Sequence, residues 1–184
     1  MDELMRRALW SAEVEQSVLG AMLLDDDCLP ELMAEGLAAD VFYDRRHGEI
    51  FRAVSDVAER NQPVDIVTVA EQLESIGRLS VVGGAGYLSR LVDVTPSVDN
   101  AQAYARMLLD YATERRFYLA AQEVQRILLE GEYIDHAARI SEVQQVLTDT
   151  ERQERSTKLV ELKNALKQVV EYVDEKSRGV APTG

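Results

Sequence analysis

The chain has 184 residues and a formal charge of −13, from 33 acidic against 20 basic side chains, a balance that repels a phosphate backbone unless the basic residues are segregated. They are not: Ser156 to Gly184 holds five basic against four acidic residues, and the acidic excess lies in residues 1–155, so neither part reads as a nucleic-acid groove. Hydrophobic residues at 46% supply a core, 4 Pro and 10 Gly favour helices, and one cysteine, Cys28, with two histidines excludes an internal disulfide and makes a Cys/His metal site remote.

The first helix is expected to start at Ser11, a good N-cap, with Glu13 and Glu15 in its first turn favouring the macrodipole. Val14, Val18, Ala21 and Met22 form its stripe, and Gly20, which costs about 1 kcal/mol against Ala, calls for a close packing partner. Asp25, Asp26 and Asp27 end it. A divalent cation needs oxygen ligands at set spacing in a glycine-hinged loop, so these three read as a turn. A short helix over Pro30 to Glu35 follows and stops at Gly36.

Ile50, Phe51, Val54, Val57 and Ala58 repeat at helical spacing and predict a helix from Asp44 to Arg60. His47 near its start has no nucleophile paired with it by spacing, so it reads as a packed or solvated histidine. Pro63 ends this stretch, Asp65 caps the next helix through Ile66, Val69, Ala70, Leu73 and Ile76, and Gly77 sits at its C′ position. Gly83, Gly84 and Gly86 match neither dinucleotide fingerprint nor phosphate loop, no Gly-Lys pair exists in the chain, and they read as a turn before a short helix, Tyr87 to Val92.

From Asp99 to Glu130 there is neither Pro nor Gly, which predicts one long helix of about 45 Å at 1.5 Å per residue. Beside Glu114, Arg115 and Arg116 read as a solvated or interface pair. After Gly131, Asp135 is placed to cap a partner helix running to Arg155, and two long helices with a short link predict an antiparallel hairpin. Val124, Ile127 and Leu128 on the first helix with Ile140, Val143 and Leu147 on the second offer more apolar surface than one partner helix hides. Self-association is favoured over packing onto the chain's own block. A last helix from Ser156 carries Leu159, Leu162, Leu166, Val169 and Val173 near heptad spacing, a docking face for something beyond the domain or an ordinary final helix.

The predicted fold is all-α: an arm at 1–10, a compact helical bundle at 11–97, a hairpin at 98–155 and a linker helix at 156–184. No stretch approaches the roughly 20 apolar residues of a membrane span, and the charged N-terminus lacks a secretion signal's apolar region, so a cytoplasmic protein is expected.

The order Ser11-Ala12-Glu13-Val14-Glu15, Ser17 to Asp25, Asp40-Val41-Phe42-Tyr43, His47 with Ile50-Phe51 and Pro63 to Val69 is similar to the N-terminal domain and linker of bacterial replicative DNA helicases of the DnaB family. Gly83-Gly84 with Tyr87-Leu88, Asn100 with Tyr104-Ala105, and Arg115-Arg116 continue the resemblance. It implies pairing of hairpins into dimers and of dimers into a hexameric collar, docking of primase on that collar, and a helicase loader as a further candidate partner. DNA is not bound directly by this domain, and the family motor that uses ATP and Mg to unwind DNA would follow Pro182-Thr183-Gly184. The chain itself is then not an enzyme and holds no cofactor, metal or catalytic residue. The alternative is a stand-alone helical adaptor, such as a primase's helicase-binding domain or a loading protein.

Overall fold

The computed structural model describes residues 9–130 and 136–152. Every described element is helical. They are α1 (Ala12–Leu24), α2 (Leu29–Ala34), α3 (Arg45–Glu59), α4 (Ile66–Ser75), α5 (Leu79–Val82), α6 (Gly84–Asp93) and α7 (Ala101–Glu130). Single 3-10 turns lie at Asp26–Cys28 and Val98–Asn100, and a further helix, α8, covers 136–152.

The helix starts follow local chemistry. The Ser11 hydroxyl accepts the Val14 N–H, and the Asp44 carboxylate accepts the Arg46 N–H at 2.9 Å. Asp65 and Thr68 form a reciprocal capping box, each side chain accepting from the other's backbone N–H. Gly77 (φ +67°) and Gly83 (φ +106°) take left-handed conformations where chains leave helices, which residues with a Cβ resist. The short α5 between them has no counterpart in the periodicity, because its four residues make barely one turn.

Packing follows from the apolar faces. The helix α1 lies against α3, α6 and α7; α3 pairs with α4, and α6 closes against α4. Val18, Leu19, Met22, Leu32, Ile50, Val54, Leu73, Leu88, Leu91 and Leu108 are fully buried in one cluster. At Gly20 a Cβ would collide with the Leu91 carbonyl and the Thr95 hydroxyl, so the residue's absence of side chain sets how closely α1 and α6 approach.

The core does not end with α6. Ala101, Ala105, Leu108 and Ala112 put one face of α7 into the same cluster. Gln102 donates to Glu31 at 2.5 Å and Arg106 to Glu35 at 2.8 Å, stitching α7 to α2. Beyond Arg115 the helix leaves the block as a stem, with Phe117, Leu119, Leu128 and Leu129 exposed.

Candidate interaction surface and buried polar junction

On the α7 stem Val124 is half-buried, Leu128 is exposed and Ile127 is buried within the single chain; on α8 Val143 is half-buried, and Ile140 and Leu147 are exposed. Ile127 therefore has no free surface of its own, while Leu128, Ile140 and Leu147 do. Leu129, at 74% exposed, is the extreme case. Apolar side chains at such exposure lose about 1.5–3 kcal/mol each relative to burial. The stretch carrying Leu159, Leu162, Leu166, Val169 and Val173 lies outside the described residues.

A second feature was not apparent from spacing. Glu15, read as a helix-dipole acid, is completely buried. Its carboxylate accepts the Tyr43 N–H at 2.6 Å and the Asp44 N–H at 3.2 Å. It also meets His47 Nδ1 at 2.5 Å. The other ring nitrogen of His47 lies 2.7 Å from the Tyr87 hydroxyl, and the two rings stack at 6.0 Å. His47 is thus the packed histidine of the two readings, with both ring nitrogens engaged. Arg46 covers the Tyr87 ring at 5.0 Å and grips Asp44 with two nitrogens. Burial works to raise the Asp44 pKa, but the Arg46 hydrogen bonds outweigh it and hold the group below the ordinary aspartate range.

Arg115 corrects the expectation of a solvated or interface pair. It is 8% exposed and donates to the Val41 carbonyl at 2.5 Å and the Leu9 carbonyl at 2.9 Å. Its guanidinium also stands 5.7 Å from the centre of the Tyr43 ring, which packs at a tilt against Trp10. Burial lowers its pKa, and the charge of Glu15 acts in the opposite sense. Arg116, half-buried, donates to the Thr113 hydroxyl. The signal for Arg115 was in the pattern: Ala101, Ala105, Leu108, Ala112 and Arg115 recur at three- and four-residue steps on one helical face.

The remaining motifs resolve into structure. Asp25 accepts the Asp27 N–H at 3.1 Å and Asp26 accepts the Val64 N–H at 3.0 Å, so the acidic run shapes a turn. The glycine cluster forms the left-handed exit of α5 and the start of α6. A cleft of about 330 Å³ opens between Ala39, Phe42, Arg45, Gly48 and Arg52, but Arg52 is paired with Glu49 at 2.8 Å. Among the described residues, no helix is long and apolar enough to cross a membrane.

These features define a class: an all-α block with a protruding apolar stem, in which the buried Glu15, His47 and Arg115 bind neighbouring side chains and backbone. A family model described as the DnaB-like helicase N terminal domain matches residues 7–110. The chain belongs to that family.

Replicative DNA helicase DnaB of Geobacillus stearothermophilus is 40% identical over 114 residues, 62% of this chain and 25% of the relative. Its counterpart in Rhodothermus marinus is 34% identical over 165 residues, 90% of this chain and 16% of the relative. Among solved structures, the N-terminal domain of DnaB helicase from Mycobacterium tuberculosis superposes with a TM-score of 0.70 at 33% identity, over 77% of this chain and 98% of that one. A structure described as a DnaB-like replicative helicase and its interactions with primase gives a TM-score of 0.60 at 22% identity, over 89% of this chain and 35% of that one. The chain therefore spans a quarter or less of these two curated relatives.

Proposed function

We propose that the chain is the assembly and primase-docking domain of a hexameric replicative helicase, pairing with a second copy through its stem. The observation that carries this reading is the exposed apolar surface of the stem: Phe117, Leu119, Leu128, Leu129, Ile140 and Leu147 face water in the single chain. A family domain with no further partner would gain nothing from that arrangement, whereas a second copy offers the same residues in return, as a two-fold contact requires. ATP, Mg and the unwinding of DNA belong on this reading to the rest of a longer protein, and a loader is a further candidate partner. The similarity to a helicase described with its primase supports docking of primase on this domain.

The test is titration of this chain with the C-terminal domain of the cognate primase. Binding with a Kd tighter than about 10⁻⁴ M, near −5.5 kcal/mol, is expected. Absence of binding at that level would remove the docking role while leaving assembly open to its own measurement.

A further inference from the structure

Two sets of hydrogen bonds, joined by the backbone of one loop, cross the block from α6 to the base of the stem. Gln16 Nε2 donates to the Tyr87 hydroxyl at 3.4 Å, and the same hydroxyl lies 2.7 Å from His47 Nε2. The Glu15 carboxylate only accepts, so the proton between it and the ring sits on His47 Nδ1 and points at Oε2, 2.5 Å away. Glu15 then fixes the backbone N–H groups of Tyr43 and Asp44. Three residues back along the same loop, the Val41 carbonyl faces the other way and accepts from Arg115. Phe42 between them is 6% exposed and packs against Phe51 at 5.5 Å. The loop is thus held at one end by Glu15, at the other by Arg115, and in the middle by the core, which leaves it no slack.

Position makes Arg115 more than one buried arginine. It follows Ala112, the last residue of α7 in the core cluster, and precedes the exposed stem. Its second hydrogen bond, to the Leu9 carbonyl, ties the segment before α1 to the same point. Arg115 thus fastens both the loop and the segment before α1 to α7 at the point where that helix leaves the core.

We propose that Glu15 couples Tyr87 to Arg115, the loop from Val41 to Asp44 acting as a strut that joins the far face of the block to the seat of the stem. Hydrogen bonds in a buried chain polarise one another, so loss of one weakens its neighbours. Coupling between two sites is reciprocal by thermodynamic necessity. Loosening Tyr87 loosens Arg115, and loosening Arg115 loosens the loop that Glu15 holds. The inference concerns one chain and stands whether or not stems pair.

Hydrogen exchange by NMR on the full chain tests it. In a Tyr87→Phe chain the Arg115 side-chain N–H protons should exchange roughly tenfold faster than in the parent, although the hydroxyl removed is bonded to Gln16 and His47 and not to Arg115. Both Tyr87→Phe and Arg115→Lys should speed the Tyr43 and Asp44 amides by a similar factor, and at those same amides the double variant should fall short of the product of the two. The amides of Val54 and Val57 in α3 serve as controls and should stay at the parent rate. Parent-rate exchange at the Arg115 side chain in Tyr87→Phe overturns the proposal, and so does an equal rise at Val54 and Val57, which would mean general destabilisation. Should Arg115→Lys lose its helicity, the Tyr87→Phe arm decides alone.

Discussion

Gly20 on α1 lies directly under the Leu91 carbonyl on α6, so close that a methyl group at Gly20 would overlap it and the Thr95 hydroxyl. Two opposing effects therefore meet in Gly20→Ala. Helix propensity favours alanine by about 1 kcal/mol. Against it stands an overlap with backbone, which cannot swing aside as a side-chain tip does, and overpacking of this kind costs about 1–3 kcal/mol or more. We expect net destabilisation of about 2 kcal/mol, read from urea unfolding with unchanged slope. A stabilised variant would show that α1 and α6 separate at little cost.

Glu13 and Glu15 are both first-turn acids of α1, yet Glu13 is exposed and Glu15 is buried. Removing Glu15 strands the Tyr43 and Asp44 amides and a histidine nitrogen in a dry interior. Glu15→Ala should therefore cost about 3 kcal/mol or more. Glu13→Ala should change stability by no more than about 0.5 kcal/mol. Thermal unfolding of the two variants side by side checks the contrast, and equal effects would contradict the network.

Cys28 is half-buried, and its thiol donates to the Asp25 carbonyl at 3.0 Å. Burial, reinforced by the Asp25 charge, pushes its pKa from the ordinary 9.0 to about 11. Because the thiolate is the nucleophile, alkylation at pH 8 should be roughly a hundredfold slower than for a free thiol. In denaturant the rate should return to that of an ordinary cysteine. Fast alkylation of the folded chain would mean that the turn around Asp25 opens readily.

What was legible in the sequence is what is local. Ser11, Asp44 and Asp65 cap helices because the partners of their side chains lie two or three residues away. Gly20 announced a close approach through its cost in a helix, but not that Leu91 and Thr95 were the neighbours. The junction was hidden because Glu15, His47 and Tyr87 are separated by 32 and 40 residues and meet only through packing of α1, α3 and α6. Arg115 was misread on its sequence neighbour Glu114, which lies on a different face of the helix. Its place in the run from Ala101 to Ala112 decided its burial. Of the six apolar residues expected at a contact between copies, Leu128, Ile140 and Leu147 are exposed, Val124 and Val143 are half-buried, and Ile127 is already covered within the chain.

Sedimentation equilibrium decides whether the stem assembles copies of this chain. At micromolar concentrations the parent chain should sediment above its monomer mass of 20.6 kDa. Leu128→Asp with Leu147→Asp removes two exposed apolar side chains, each worth about 1.5–3 kcal/mol when buried. That double variant should return to monomer mass with unchanged helicity by circular dichroism. A parent chain that stays monomeric across the concentration range, or a helical double variant that still associates, would contradict assembly through the stem.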